Sequence, residues 1–292
     1  MPSSGSPTVR RRRLAAELRR LRGNRTGFEV SRGIGWSTTK ISRAESGRES
    51  LPPSEVEKLI DYYGVEDQLR ARLLELAEDA TRRGWWEDYA DALKPEYLEF
   101  IGLEAEATSC LQWQSDVVPG LLQTETYAKH LDTSFQKVAT TTPPAVHDRF
   151  LRVRAIRQER LRHEPVLRLS AVIDEAVLLR RIGDRETMRT QLASLAAATE
   201  LPNVELRVLP LDRDMAVGAA SFVILRFGSQ DGSGTTDLAD VVSTESLNTE
   251  LYVEGETDTY LYRLFFNALS DAALSPAESR DLIVTTRDRT WS

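Results

Sequence analysis

The chain has 292 residues, 41% of them hydrophobic and 28% charged, which is enough for a sizeable core and, at this length, for two domains. No run approaches the ~18 consecutive apolar residues of a membrane span, and the polar and basic start (1–13) leads into no apolar segment of signal-peptide length. The single cysteine, Cys110, excludes an intramolecular disulfide, and the three histidines lack zinc-site spacing. We therefore expect a cytoplasmic protein that binds no membrane, no metal ion and no other cofactor.

The formal net charge of −7 is distributed unevenly along the chain. Residues 1–50 contain twelve Lys and Arg against four Asp and Glu, a net charge of +8, which leaves −15 for the remaining residues. A basic segment of this kind matches the electrostatic footprint of a nucleic-acid-binding domain, whereas an evenly acidic protein would repel nucleic acid. The N-terminal region is therefore the candidate for DNA binding.

Three short helices are predicted at the start of the chain. Leucines recurring at helical spacing predict the first over 9–22. A second, over 26–33, stops before a tight turn for which Gly35 is suited. Ser37 is then a natural N-cap for a third helix over 38–46.

The outward face of the third helix has side chains that suit DNA. Ile41 and Ala44, three residues apart, can face the core. This leaves hydroxyl groups and cations to project outward, with no acidic neighbour among them. Such groups can bond to base edges and phosphates from a helix laid in the major groove. The outward residues are Thr38, Thr39, Lys40, Ser42 and Arg43.

Two further helices complete an all-α domain. Ser54 and Glu57 stand at capping-box spacing after two prolines and predict the start of a fourth helix. A fifth is expected from about Glu66. The expected buried side chains are Val56, Leu59, Ile60 and Tyr63 on the fourth helix and Leu69, Leu73, Leu76 and Ala80 on the fifth.

Arginines outside the third helix are candidates for the phosphate backbone. Arg19, Arg20 and Arg48 are predicted phosphate contacts. The run from Arg10 to Arg13 leaves two alternatives open. It is either the solvated face of the first helix or a flexible arm along the phosphates.

The run TGFEVSRGIGWSTTKISRAESGRESLPPSEVEKLIDYYGV resembles the repressor-type (xenobiotic-response-element) helix-turn-helix family. The resemblance covers roughly residues 10–80. It implies a five-helix domain whose third helix reads double-stranded DNA, usually as a homodimer on a pseudo-palindromic site. Gly33 departs from the family's usual helix formers and should weaken the second helix by up to ~1 kcal/mol. The motif residues are Thr26, Ser31, Gly35, Ile41, Ser42, Arg43, Glu45 and Gly47, and the full predicted DNA-binding set is Arg19, Arg20, Thr26, Ser37, Thr38, Thr39, Lys40, Ser42, Arg43 and Arg48.

From Gly102 onward the sequence pattern changes to α+β. The strands cluster late, between helices, which fits an α+β layer better than a doubly wound sheet. The predicted fold is therefore an N-terminal all-α five-helix helix-turn-helix domain followed by a larger α+β domain. Strands are expected over 107–113, 166–173, 204–209, 222–227, 240–244 and 250–253, helices from 120, over 143–163, 174–182, 185–200 and 258–273, and a loop over 132–144. The predicted divisions are a disordered arm (1–8), the DNA-binding domain (9–82), a linker or docking segment (83–101), the α+β domain (102–285) and a tail (286–292).

The helix predicted over 143–163 carries six arginines. A second DNA contact is one explanation. Because the surrounding domain is acidic, arginines that lie along the surface and pair with carboxylates are the favoured one. The six are Arg149, Arg152, Arg154, Arg157, Arg160 and Arg162.

Several C-terminal segments, in order, resemble the C-terminal domain of the WhiJ-like group of actinobacterial regulators. They are EAEA (104–107), VPGLLQTETYA (118–128), Arg154 with Arg157-Gln158, IDEAVLLRRIG (173–183), Gln191-Leu192 and VELRVLP (204–210). The resemblance implies a regulator whose C-terminal domain binds a small BldB-like protein, in arrangements like toxin–antitoxin pairs. It implies no catalysis.

A search for enzyme motifs finds little. There is no G-x-S-x-G elbow, no phosphate loop and no pair of metal ligands at helical spacing. Asp174 and Glu175 most simply cap the helix that follows them, and the glycine-rich run 228–234 reads as a hairpin loop. We expect no enzyme. A ligand sensor, with a metabolite among Trp113, Tyr127 and neighbouring apolar residues, is the alternative to a protein partner.

Overall fold

A computed structural model describes residues 7–47, 49–81, 83–136, 144–213, 220–228, 240–246 and 250–292. The chain divides into two compact units. The first comprises Met1–Asp88 with Leu98–Glu106, and the second Tyr89–Tyr97 with Ala107–Ser292. None of the described helices is long and apolar enough to cross a membrane.

The first unit contains the five predicted helices, and the bounds of the first three lie within two residues of those predicted. Ile41 and Ala44 are buried as expected, with 1% and 3% of their surface exposed. They belong to a core that also holds Leu18 and Val30. The helices are α1 (Pro7–Arg22), α2 (Gly27–Ile34), α3 (Thr38–Glu45), α4 (Pro53–Tyr63) and α5 (Asp67–Ala80).

The predicted capping box of α4 is wrong. The N-cap is Pro52, which has no side-chain cap hydrogen bond, so Ser54 lies inside the first turn. The backbone of a proline at the first helical position is already in a helical conformation, and this sets the start of the helix without a polar cap. Glu57 instead accepts a hydrogen bond from Arg70 Nη2 at 2.6 Å, which joins α4 to α5.

A 3-10 helix (Trp85–Tyr89) and α6 (Pro95–Glu106) follow α5. Residues of α6 from Leu98 onward belong to the first unit. A side-chain carbon on Gly102 would lie 2.3 Å from Thr8 Oγ1, so α6 approaches the start of α1 at a distance only glycine allows. The last part of α6 therefore packs against the helix that carries the arginine run.

The second unit is built on a six-stranded mixed sheet, which confirms the α+β prediction. Its strand order is β3-β2-β1-β4-β5-β6. The first three strands are mutually parallel and the other three pairings are antiparallel. The strands are β1 (Ser109–Gln114), β2 (Arg168–Asp174), β3 (Val204–Leu209), β4 (Phe222–Arg226), β5 (Val241–Glu245) and β6 (Glu250–Val253).

Helices cover the sheet. One face carries a core in which Trp113 and Phe222 pack with Phe266 and Leu269 of α11. The outer edge of β3 is covered by the start of α12, since Val208 N donates to Ser279 Oγ at 2.9 Å. The helices are α7 (Glu125–Gln136), α8 (Pro144–Gln158), α9 (Ala176–Leu179), α10 (Arg185–Ala198), α11 (Glu256–Ala272) and α12 (Pro276–Thr290), with 3-10 turns at Gly120–Leu122 and Glu159–Leu161.

Three helical predictions need correction. The loop expected over 132–144 is helical as far as Gln136, with 137–143 outside the described residues. The helix expected over 174–182 is reduced to Ala176–Leu179, because the backbone becomes extended at Arg180; Asp174 Oδ1 accepts from Ala176 N at 2.8 Å at the helix start. A helix not predicted at all, α12, begins with a capping box between Ser275 and Glu278.

Candidate nucleic-acid interface

The turn between α2 and α3 is fixed by local backbone contacts. Gly35 adopts a left-handed conformation, with φ of 73°, and its N–H donates to Ser31 O. Trp36 N donates to the same oxygen at 3.0 Å. Ser37 then caps α3, with its Oγ accepting from Lys40 N at 3.2 Å. The predicted glycine turn and serine cap are both confirmed, and they define the direction of α3.

The outward face of α3 consists of hydroxyl groups and one guanidinium. Ile41 and Ala44 face inward, whereas Thr38, Thr39, Ser42 and Arg43 are exposed. Within the described part of the chain, the side chains of these four exposed residues form no hydrogen bond or ion pair. Their donors and acceptors are therefore available to an external partner.

Lys40 differs from the other predicted contacts of α3. Its Nζ lies 2.6 Å from Glu55 Oε1 of α4 and 4.3 Å from the centre of the Trp36 ring. Only 28% of the Lys40 side chain is exposed. The ammonium group thus already has a counter-ion and an aromatic neighbour, and it joins α3 to α4.

Glu45, at the end of α3, is neutralised within the unit. Arg22 Nε donates to both of its carboxylate oxygens, at 2.8 and 3.0 Å. Burial raises the pKa of the Glu45 carboxyl, against the opposing effect of Arg22. Since Glu55 is likewise paired with Lys40, neither of these two carboxylates confers a free negative charge on the outer face of α3.

The remaining predicted contacts differ in their surroundings. Arg19 is exposed, and Arg20 is exposed but bonded to Glu17 at 2.7 Å. Thr26 is the N-cap of α2 and forms a complete capping box with Glu29, so its hydroxyl serves the helix. The Thr26 backbone and side chain lower the pKa of Glu29, which keeps a negative charge at this helix start. Arg48 lies outside the described residues.

The arginine run at the start of α1 is neither a solvated face nor a flexible arm. It is helical, and Arg10 and Arg12 are only 8% and 9% exposed. Arg10 pairs with Asp79, and Arg12 Nη2 lies 2.5 Å from Glu99 of α6. Burial lowers the pKa of Arg11. These cations face other helices of the first unit because α5 and α6 supply carboxylates there.

Side chains of the α8 helix bond mainly to neutral oxygens. Arg149 Nη1 pairs with Asp91 at 2.5 Å, as the carboxylate hypothesis expects. Arg154 instead donates to Gln123 Oε1, and Arg157 Nη1 to the Tyr97 hydroxyl at 2.6 Å. Pairing with a carboxylate is therefore confirmed for Arg149, and Arg154 and Arg157 bond to neutral oxygens as well.

Two of the segments that carry the C-terminal resemblance, those with Gln158 and Gln191, bond to a turn in a third, at Gly120–Leu122. Gln158 Nε2 donates to Gly120 O at 3.0 Å and to Gln123 O at 2.7 Å. Gln191 is fully buried; its Nε2 donates to Leu122 O at 2.8 Å and its Oε1 accepts from Thr124 N at 2.7 Å. The shared glutamines thus hold the backbone of this turn.

The side chains proposed for a metabolite are core residues. Trp113 and Tyr127 are fully buried, and Tyr127 Oη accepts from Val118 N at 3.3 Å. Neither lines the pocket of about 440 Å³ that opens beside Arg162 and Asn203. Cys110 is buried, and among the described residues no group of His, Cys, Asp and Glu could hold a metal ion. The predicted hairpin loop lies outside the described residues beyond Gly228.

Sequence reasoning missed the two residues that hold Lys40. The sequence analysis predicts no contact for Trp36 or Glu55. A contact between residues 15 positions apart has no signature in helical periodicity, because it depends on how α3 and α4 pack. The presence of a lone acidic residue in the first turn of α4 is the only available hint.

Two family models match consecutive parts of the chain. A helix-turn-helix domain model matches residues 13–73, which supports a DNA-binding regulator, and a model described as a domain of unknown function matches residues 97–285. No curated protein and no solved structure matches the chain. The second model covers more than half of the 292 residues. The chain therefore belongs to the family of the domain of unknown function DUF5753, and it carries a helix-turn-helix domain before that domain.

Proposed function

We propose that the chain is a cytoplasmic, sequence-specific transcriptional regulator that binds double-stranded DNA as a homodimer and catalyses no reaction. The observation that carries the proposal is the outer face of α3. It presents hydroxyl donors and the Arg43 guanidinium, all unbonded among the described residues, while Arg22 and Lys40 pair with the neighbouring carboxylates. A helix with this surface suits the major groove, where arginine and hydroxyl groups bond to base edges and phosphates.

We assign different roles to the two cations of α3. Arg43 contacts DNA, since its side chain is exposed and unpaired in the described part of the molecule. Lys40 positions α3, since Glu55 and Trp36 hold its ammonium group. Thr38, Thr39 and Ser42 supply hydrogen bonds, and the exposed Arg19 and Arg20 of α1 contact phosphates.

The C-terminal domain, by this proposal, controls the DNA-binding domain through a small partner protein of the BldB-like kind, in an antitoxin-like arrangement. The resemblance of several C-terminal segments to the WhiJ-like group of actinobacterial regulators supports this assignment. The alternative of a metabolite sensor is less well supported, because Trp113 and Tyr127 pack in the core. Co-purification from native extract tests the protein partner, and thermal stabilisation by small molecules tests the metabolite.

The test of DNA binding uses the full chain and DNA selected from a randomised pool. Arg43→Ala should weaken binding about tenfold or more and reduce the slope of log affinity against log salt by about one. Arg152→Ala, which removes an exposed arginine of α8, is the matched control and should change neither value. Unchanged affinity in Arg43→Ala, or an equal loss in both variants, contradicts the proposed recognition surface.

A further inference from the structure

The second unit has a pocket of about 440 Å³ at the edge of the sheet where β2 and β3 begin. It is lined by residues within 161–168, which lead into β2, and by residues 201–203, which precede β3. Protein sites for small molecules have volumes of about 300–1,000 Å³, so this pocket is large enough for a ligand. None of its lining residues belongs to the surface that we assign to DNA.

Hydrogen bonds hold the two loops of the pocket together. Asn203 Nδ2 donates to Leu161 O at 3.1 Å and to Leu167 O at 2.9 Å. Leu169 N donates to Asn203 O at 2.8 Å. Because these bonds fix the walls of the pocket, a ligand that enters it has little protein structure to order, which favours its affinity.

Part of the pocket wall is apolar. Leu161 is only 5% exposed, and Val166 and Leu201 are half-buried. Pro202, also in the wall, is exposed. An apolar group lying on these side chains would remove apolar surface from water on both sides, which stabilises a complex.

Two arginines line the same pocket, Arg162 and Arg168. Both are exposed, and in the part of the chain that the structure describes neither side chain has a hydrogen bond or an ion pair. A guanidinium group presents parallel N–H donors that match two oxygens of a carboxylate or phosphate group. Two such groups beside an apolar wall suit a ligand with an anionic head and an apolar body.

The carboxylates near the pocket have other contacts. Residues 159–168 contain three arginines and two glutamates, a net charge of +1 with histidine neutral, whereas the chain outside residues 1–50 carries −15. None of the four glutamates of the two loops and their flanks is paired with Arg162 or Arg168. Their contacts are Glu159 with His163, Glu164 with Val166 N, Glu200 with Arg280 and Glu205 with Arg207.

We propose that this pocket binds a small amphiphilic anion. Arg162 and Arg168 hold its carboxylate or phosphate head, and Leu161 and Leu201 contact its apolar body. This site is separate from the buried aromatic side chains first considered for a metabolite. The proposal goes beyond the proposed function, because binding of the anion requires neither DNA nor a partner protein.

The experiment is calorimetric titration of the full chain with 2-naphthoate, 2-naphthyl phosphate and the neutral 2-naphthamide. At least one of the two anions should bind with a dissociation constant below about 1 mM. That anion should bind about tenfold or more tightly than the amide, because only an anion engages the guanidinium groups. The tighter of the two anions identifies the preferred head group.

Variants divide the contribution of the head from that of the body. Arg162→Gln and Arg168→Gln should each weaken the anion about tenfold and leave the amide unchanged. Leu201→Ala should weaken anion and amide alike. Arg289→Gln is the matched control and should change neither, since it removes an exposed arginine of α12 that has no side-chain partner among the described residues. Circular dichroism shows that each variant is folded.

The proposal is overturned if neither anion binds, or if the amide binds as tightly as the anions. It is also overturned if a folded Arg162→Gln/Arg168→Gln variant binds the anion as the wild type does, or if Arg289→Gln loses as much affinity. DNA binding separates this proposal from the proposed function. Arg43→Ala should lose affinity for DNA and keep its affinity for the anion, whereas Arg162→Gln/Arg168→Gln should lose the anion and, without anion present, bind DNA as the wild type does.

Discussion

Lys40 Nζ of α3 lies 2.6 Å from Glu55 Oε1 of α4, and the same ammonium group lies over the Trp36 ring. Side-chain exposure is 28% for Lys40 and 26% for Glu55, so the pair is partly shielded from water. An ion pair in this setting contributes more than a fully exposed one and also fixes the orientation of the helices that it joins. The sequence suggested a DNA contact at Lys40, and the contact within the protein suggests a positioning role instead.

If Lys40 positions α3, removing it should change stability and leave the ionic part of DNA binding intact. Lys40→Ala should lower the free energy of unfolding by about 0.5–1 kcal/mol. The slope of log affinity against log salt should stay as in the wild type, because no phosphate loses a cation. Urea denaturation and salt titrations of DNA binding measure the two quantities, and Arg43→Ala is the comparison that should lower the slope.

The opposite pattern would show that Lys40 leaves Glu55 when DNA binds. In that case Lys40→Ala lowers the salt slope, and Glu55→Gln strengthens DNA binding by releasing the ammonium group. Our assignment predicts that Glu55→Gln lowers stability and leaves the salt slope unchanged. A double-mutant cycle between Lys40 and Glu55 measures the coupling free energy of the pair directly.

Gly33 weakens α2 as a helix former but is required for the close packing of α2 against α4. A side-chain carbon there would lie 2.1 Å from Tyr62 Cε2 of α4. Gly33→Ala gains helix propensity, but it must displace the Tyr62 ring, and we expect a net loss of about 1–3 kcal/mol. Gly27→Ala, at a glycine of the same helix with no atom near the added carbon, should be neutral or slightly stabilising. Thermal unfolding compares them, and a stabilised Gly33→Ala would disprove the packing role.

Features that depend on residues close together in the chain can be predicted from the sequence. Contacts between residues far apart in the chain cannot, because they depend on how the helices pack. The Gly35 turn, the Ser37 cap and the inward side of α3 follow from local rules and are confirmed. The contact of Tyr62 with Gly33 depends on tertiary packing, and so does the burial of Arg10 and Arg12 against carboxylates of α5 and α6. The capping box of α12 has a local signal, Ser275 followed three residues later by Glu278, which the prediction did not use.

Gln191 is another residue whose role depends on contacts with residues distant in the chain. Its side-chain amide bonds to the backbone of Leu122 and Thr124 at both ends and has no exposed surface. Gln191→Leu should lower the free energy of unfolding by about 2–4 kcal/mol, because two backbone groups lose their partners inside the domain. Thr190→Val, at the neighbouring exposed position of α10, is the control and should have little effect. An equal effect of both variants in denaturant titrations would contradict the role of Gln191.

Glu250 makes stability depend on pH near neutrality. It stands opposite Glu245 across β5 and β6, and accepts a hydrogen bond from the Ser243 hydroxyl. Burial, with a further contribution from the charge of Glu245, raises the pKa of Glu250 from 4.5 to about 7. The folded protein therefore holds a proton that the unfolded chain releases at lower pH. This contribution to stability is complete below about pH 4.5 and is lost as pH rises through about 7.

Glu250→Gln, which is neutral at every pH, should therefore gain stability relative to the wild type as pH rises from about 4.5 to 8, by at most about 3 kcal/mol. Glu278→Gln is the control, because its effect on stability should depend on pH in the opposite direction. Hydrogen bonds from Ser275 lower the pKa of Glu278, so its contribution is present above pH 4.5 and is lost only in acid. Urea denaturation at a series of pH values measures both differences. A Glu250→Gln difference that stays constant between pH 4.5 and 8 would show that Glu250 keeps an ordinary carboxyl pKa in the folded protein.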